Sequence, residues 1–157
     1  MILRKAHPLD AGQIGDILHR FETETPWMPK EHTAAEILRF CDVMIDRGWV
    51  SVAVREHKVL GFVALDGVEI CSLYVAPDMR GQGVGKALLS HAKTLSPELR
   101  LHTFQANTPA QRFYQREGFR EVGRSDGRQH SEGLPDISYH WQHPDAANQN
   151  HQPEQIV

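Results

Sequence analysis

Cysteine is scarce in this chain, with two among 157 residues, Cys41 and Cys71, both inside apolar segments and in no CxxC spacing. A disulfide scaffold is thereby excluded and a reducing compartment expected. Long hydrophobic runs are missing too, since none approaches the ~18 residues of a membrane-spanning helix. The opening Met1-Ile2-Leu3-Arg4-Lys5 meets Pro8 and Asp10 without a leader-type apolar stretch. Neither a signal peptide nor a membrane span is expected, and the cytoplasm is the default. Charge of one sign is also lacking: 17 Lys and Arg face 20 Asp and Glu, for a net charge of −3. With the basic residues scattered, no nucleic-acid footprint emerges, although a single turn can still hold an anion. His140, His143 and His151 offer no rigid ligand geometry, so no metal is expected.

What the chain does have is length for one compact domain and clear apolar patterning. Residues 2–5 read as a short strand. Asp10 then caps a helix with apolar positions at Ile14, Ile17, Leu18 and Phe21, an i, i+3, i+4, i+7 face. Pro26 and Pro29 break it, leaving 22–32 as a loop that contains Trp27 and Met28. Thr33 and Glu36 form a capping box for a second helix, with Ile37, Phe40, Cys41, Met44 and Ile45 as its stripe and Gly48 at its end. The period next switches to two, giving strands at 49–54, 59–65 and 68–75. The first two are joined around Glu56-His57-Lys58. The last two are joined by Asp66-Gly67, a hairpin pair in which both central residues take positive φ. Pro77 stops the third strand.

A helix over 83–95 points Val84, Ala87, Leu88, Ala92 and Leu95 inward and stops at Ser96-Pro97. Residues 99–104 are a strand. Thr108 caps a short helix with Pro109 at its first position and Gln111 closing a capping box, and Gly118 ends it. Strands at 119–124 and 137–141 close the sheet around a long polar loop. The order β-α-α-β-β-β-α-β-α-β-β predicts an α/β (α+β) fold, one mixed sheet of about seven strands with about four helices. Its domain spans 1–142. The remainder, 143–157, is His, Asn, Gln and Pro with too little apolar surface to offset ordering entropy, and is expected to be disordered.

The informative stretch is Leu73-Tyr74-Val75-Ala76-Pro77-Asp78-Met79-Arg80-Gly81-Gln82-Gly83-Val84-Gly85-Lys86. A buried strand ends at a proline, and a glycine turn runs straight into an amphipathic helix. The first turn of a helix has amides without partners and a partial positive charge, so an anion fits there. Glycines at 81, 83 and 85 remove side chains that would hold a phosphate away, while Arg80 and Lys86 add formal charge. The plainer reading is a tight strand-to-helix junction. Neither a Walker loop nor a GxGxxG dinucleotide fingerprint is present.

Arg80-Gly81-Gln82-Gly83-Val84-Gly85 resembles the Q/R-x-x-G-x-G/A signature of the GNAT superfamily of N-acetyltransferases. Asn107, Ala110, Phe113, Tyr114, Gly118 and Phe119 match its second mark, N-x-x-A-x-x-F-Y-x-x-x-G-F, at the expected distance. On both motifs the chain is identified as a member of that superfamily over about residues 1–142, the N-terminal part matching in element order only. The resemblance implies a GNAT fold and acetyl-CoA as cosubstrate. The strand ending at Val75 splays from that at 99–104, and the pantetheine arm lies in the gap. Backbone groups of Leu73 and Val75, with Tyr74 between them, contact that arm, and the Leu73 amide polarises the acetyl carbonyl. Arg80 and the amides of Gly81, Gln82, Gly83, Val84, Gly85 and Lys86 hold the pyrophosphate. Asn107 bonds the pantetheine or nearby backbone, and Tyr114 stands near the thioester sulfur as general acid. Many relatives pair through the closing strands, which leaves a homodimer open.

Acetyl transfer to an amine needs a neutral nucleophile, and a lysine-like amine with a pKa near 10.4 sits about three units, or roughly 4–5 kcal/mol, from that state at pH 7. Glu69 is the first candidate base. It lies four residues before Leu73 on the same strand face, about 13 Å away, a range that calls for water as intermediary. His102 on the next strand is the second candidate, since imidazole titrates near neutrality. The plain alternatives are a solvated carboxylate, a half-buried strand histidine and, for Tyr114, a core aromatic. Trp27 and Met28 are candidates to wall the acceptor pocket. Asp126, Glu132 and Asp136, in the loop that also holds Arg128 and His130, are candidates to recognise a cationic amine. The expected activity is transfer of acetyl from acetyl-CoA to a primary amine of a small molecule or peptide, by direct attack in a ternary complex. The alternative is a silent acetyl-CoA-binding sensor module. Which amine is accepted is not written in the motifs, because acceptor pockets are built from variable loops.

Overall fold

The computed structural model describes residues 1–130 and 132–145; of the tail expected over 143–157, residues 146–157 lie outside these. The strands are β1 (Ile2–Lys5), β2 (Val50–Arg55), β3 (Lys58–Asp66), β4 (Glu69–Val75), β5 (Glu98–Phe104), β6 (Arg120–Ser125) and β7 (Asp136–Gln142). The helices among the described residues are α1 (Ala11–Glu24), α2 (Ala34–Asp46), α3 (Val84–Leu95) and α4 (Thr108–Arg116), in the order the sequence predicts. Hydrogen bonding arranges the strands as one mixed sheet, β1-β2-β3-β4-β5-β7-β6. No helix among the described residues is long and apolar enough to cross a membrane. The chain divides into two compact units, Met1–Asp66 with Ile70–Ala92, and Gly67–Glu69 with Lys93–Val157.

In the first unit β1, β2 and β3 form an antiparallel meander in which Val52 pairs with both Arg4 and Phe62. Ile14 and Ile17 of α1 and Ile37, Cys41 and Met44 of α2 are buried in one cluster with Val50, Val52 and Phe62. The expected capping box on α2 is present: Glu36 N donates to Thr33 Oγ1 at 3.1 Å and Thr33 N to Glu36 Oε1 at 3.2 Å. Phe40 departs from the expected stripe and is 49% exposed, because it lies on the flank of the arc that Ile37, Cys41, Met44 and Ile45 cover. α1 runs to Glu24, into the expected loop, and ends only at Thr25, the residue before Pro26, which proline keeps extended.

Asp10 stands at the head of α1 but makes no side-chain cap bond. Its Oδ2 instead accepts from Arg4 Nη1 at 2.7 Å and from His7 N at 2.7 Å. The Arg4 guanidinium first, and the His7 amide after it, hold the Asp10 carboxyl below its ordinary range against the opposing push of burial. The β2–β3 turn places Glu56 and His57 at φ of 50° and 68°. Gln13 braces it, accepting from Val59 N at 2.8 Å and donating to His57 O at 3.3 Å. In the Asp66-Gly67 turn only Gly67 has a positive φ, 62°, so the expectation of two such residues is corrected.

In the second unit β7 pairs antiparallel with both β5 and β6, with Leu101 opposite Tyr139 and Thr103 opposite Ile137. All four are buried. The ring of Tyr114 on α4 meets those of Phe119 and Tyr139, with centroids 5.5 and 6.2 Å apart. Lys93 donates to Glu117 O at 2.6 Å and stands over the rings of Phe119 and Trp141. β4 meets β5 in parallel at Glu69 and Arg100, and Arg100 N donates to Val68 O at 2.8 Å. Leu95, expected inward on α3, is 55% exposed because it is the last residue of that helix.

Candidate functional site

The glycine turn belongs to the first unit. A short 3-10 turn at Pro77–Met79 follows β4, Arg80 is extended, Gly81 and Gly83 take φ of 75° and 84°, and α3 begins at Val84. Val84 is buried and anchors the helix start, while Arg80, Gly81, Gln82, Gly83 and Lys86 are exposed. Lys58 pairs with Asp78 at 2.9 Å, which holds the Asp78 carboxyl, two residues before Arg80, below its usual range and occupies it with a cation of its own. The amides opening α3 have no acceptor within the helix. A Cβ built at Gly81 or Gly83 meets nothing within 4 Å, so the side from which an anion approaches is open. Donors, positive charge and open space together fit a diphosphate.

A residue that the sequence reading passed over decides where this turn stands. A Cβ at Gly61, in the middle of β3, would lie 2.8 Å from the Tyr74 carbonyl oxygen, 3.1 Å from Leu88 and 3.2 Å from Val84. Gly61 therefore lets the start of α3 press directly onto β3. A glycine inside the apolar run Val59-Leu60-Gly61-Phe62-Val63 was the available signal.

On β4, Leu73, Tyr74 and Val75 are half-buried. The Tyr74 ring packs on Phe21 and Phe62 at 4.9 and 5.9 Å. Trp27 sets its ring edge-on to Phe21 at 6.1 Å. The α1–α2 loop that carries Trp27 and Met28 is tied down by buried Glu22, which accepts from His32 N at 3.0 Å and lies 3.3 Å from His32 Nδ1. That clip was not anticipated.

Glu69, Asn107 and Tyr114 belong to the second unit. Asn107, and not Thr108, is the cap of α4: its Oδ1 accepts from Ala110 N at 3.2 Å. Gln111 closes no box but donates to the carbonyls of Phe104 and Gln105 at 3.2 and 2.8 Å. Both corrections follow from Pro109 at the second helical position, which leaves the Ala110 amide as the one within reach of residue 107. Tyr114 is 7% exposed, its ring enclosed by Phe113, Phe119 and Tyr139. Glu69 is half-buried opposite Arg100, and His102 is exposed on β5. Glu98 accepts from the His140 ring at 2.8 Å, which lowers its carboxyl pKa.

The β6–β7 loop does not present its carboxylates as a set. Asp126 is engaged by Arg128, whose Nε lies 3.2 Å away. Asp136 is buried, accepting from Ser125 Oγ at 2.6 Å with His130 Nε2 at 2.9 Å. Gly127, at φ 82°, is held so close to the Leu134 backbone that a Cβ would stand 2.1 Å from its carbonyl oxygen, which closes the loop on itself. No group of three or more metal-ligating side chains occurs among the described residues.

The family model for the acetyltransferase (GNAT) domain matches residues 46–121. A peptidyl-lysine N-acetyltransferase of Salmonella typhimurium, YjaB, is 44% identical over 78 residues, 50% of this chain and 53% of that protein. The chain thus spans about half the length of the first curated relatives it matches. A 5-NmdU N-acetyltransferase of Pseudomonas phage PaMx11 is 31% identical over 107 residues, 63% of this chain and 74% of its own length. The solution structure of apo YjaB from Escherichia coli superposes with a TM-score of 0.74 at 26% identity, over 90% of this chain and 98% of that one. YncA of Salmonella typhimurium, solved with its cofactor acetyl-CoA, has the same fold at 20% identity, with a TM-score of 0.71 over 90% and 93% of the two chains. The chain belongs to the GNAT family of acetyltransferases.

Proposed function

We propose that this protein transfers the acetyl group of acetyl-CoA to a primary amine, with the lysine side chain of a peptide or protein as its first acceptor class. The observation that carries the reading is the turn at 80–86, open and rich in donors, in a chain of this family. The lysine acceptor is supported by the relatives named for that activity. Bound acetyl-CoA supplies an acyl group already activated as a thioester. Arg80 and the amides from Gly81 to Lys86 bind the diphosphate. The backbone of Leu73 and Val75 holds the pantetheine arm, and the Leu73 amide donates to the acetyl carbonyl, a contribution of about 3–4 kcal/mol as charge develops there. Asn107 fixes the head of α4 and with it Tyr114, which gives a proton to the departing sulfur. Glu69 attracts the cationic amine and serves, through water, as its base.

We place the enzyme in the cytoplasm, a reading supported by two free thiols, Cys41 and Cys71. β6, exposed along its whole length, is the strand through which a homodimer would form. The test is thiol release from acetyl-CoA against lysine peptides, polyamines and free amino acids. Turnover of a lysine peptide is expected. Binding of acetyl-CoA with no thiol released on any acceptor would contradict the reading and leave a sensor module in its place.

A further inference from the structure

Lys58 opens β3, and the residues on either side of it are held by α1. Gln13 accepts from Val59 N at 2.8 Å and donates to His57 O at 3.3 Å. The lysine stem therefore leaves the sheet from a fixed root, and its Nζ donates to Asp78 Oδ2 at 2.9 Å. Asp78 lies in the 3-10 turn at Pro77–Met79, where Met79 N donates to Ala76 O at 2.9 Å. Gln82 Nε2 donates to the Asp78 carbonyl at 3.4 Å, so the glycine turn folds back on the same residue. Arg20 also acts on the Asp78 carboxyl, but its guanidinium is shared with Asp16 and Glu24 at 4.0 and 3.6 Å. Lys58 is the main cation on Asp78 and the first cause that holds its carboxyl below the usual range.

Both partners are more than half exposed, at 56% and 54%. An ion pair so exposed adds little to folding. Its effect falls on the turn instead. Asp78 stands two residues before Arg80. Their Cα atoms are at most about 7 Å apart, inside the Debye length of about 8 Å at physiological salt. A bare carboxylate at that range would repel a dianionic diphosphate on the glycine turn and compete with it for the Arg80 guanidinium. We propose that Lys58 is a positioning residue for acetyl-CoA: it neutralises Asp78 at the entrance of the diphosphate turn and leaves Arg80 to the cofactor. The proposal rests on the acetyl-CoA reading and deepens it. Gln13 takes part by fixing the root of Lys58, which ties the head of α1 to cofactor affinity through the β2–β3 turn.

The test is a double-mutant cycle read by calorimetric titration of acetyl-CoA into the full chain, at about 50 mM and again at about 1 M salt. At low salt Lys58→Met is expected to weaken binding by about 5- to 10-fold, the effect of one uncancelled charge on a dianion. Asp78→Asn is expected to bind at least as tightly as the wild type, and the double variant to return to within about twofold of it. Lys58→Arg, which keeps the charge, is expected to hold the wild-type affinity. The deficit of Lys58→Met is expected to shrink below about twofold at the higher salt. A merely structural tether predicts the opposite pattern: Asp78→Asn as weak as Lys58→Met, the double variant no better, and a deficit that salt leaves in place. That pattern, or wild-type affinity in Lys58→Met, overturns the proposal alone. A wild type that binds no acetyl-CoA overturns the cofactor reading beneath it.

Discussion

Gly81 and Gly83 hold left-handed backbone with open space where a Cβ would stand, so substitution there is a matter of strain and not of clash. Each costs about 1 kcal/mol as a non-glycine residue, roughly fivefold to tenfold in an affinity that needs that geometry. Gly83→Ala is expected to weaken acetyl-CoA by about that factor in a titration while the amine KM holds. Tyr114→Phe keeps the ring among Phe113, Phe119 and Tyr139 and removes only the hydroxyl. Its melting temperature is expected to stay near that of the wild type while kcat falls roughly 10- to 100-fold, since a leaving thiol needs acid help only modestly. A kcat equal to the wild type's would return Tyr114 to the role of a core aromatic. Asp10 carries a stability prediction. Its folded pKa is lowered by Arg4, so its contribution is present above the unfolded carboxyl value of about 3.9 and is lost as pH falls through the lower folded one. Urea unfolding from neutral to acid pH is expected to show that loss in the wild type. In Asp10→Asn the curve should start lower and lack that step.

At the scale of elements, the β2–β3 turn spends two left-handed residues without using glycine. His57→Gly is expected to stabilise the fold by about 0.5–1 kcal/mol in chemical denaturation, because glycine takes φ near 68° without steric cost. Gly61→Ala runs the other way, since its Cβ would press on a backbone carbonyl and two side chains of α3. A loss of about 1–3 kcal/mol is expected, together with weaker acetyl-CoA binding as the head of α3 shifts. Destabilisation alone, with the cofactor affinity unchanged, would separate Gly61 from the turn. These elements also divide what could be read in the sequence from what could not. The Thr33–Glu36 box, the Gly48 and Gly118 stops and the strand–turn–helix at 70–96 are local patterns, closed within a few residues, and they were legible. Phe40 and Leu95 were misplaced because periodicity describes an endless helix, whereas burial depends on the width of the facing surface and on where the helix ends. The cap of α4 stands at Asn107, one residue before the Thr108 that the pattern predicts, because Pro109 takes the second helical position.

At the scale of the molecule, the glycine turn and the short helix that carries Tyr114 follow from motifs 20 to 30 residues apart, whereas the groups around His102 do not. Asp136 meets His102 across 34 positions of sequence, and only the β5–β7 register puts Ser138 opposite that histidine. Register across a long loop is a tertiary outcome, set by which apolar residues share the buried face, and one residue of slip would send every side chain to the other side. The clip from Glu22 to His32 is similar: a buried carboxylate that looks like one more helix acid until the following loop folds back onto it. Contacts closed within a few residues are thus legible in the sequence, and contacts set by strand register across a long loop are not.

Diphosphate recognition by the backbone at 81–86 is tested most directly by calorimetric titration of acetyl-CoA. The wild type is expected to bind with an affinity that falls as salt rises, and a Gly81→Val, Gly83→Val variant with unchanged circular dichroism is expected to lose most of that binding. Equal binding by the folded variant, or none by the wild type, would contradict the assignment of this turn.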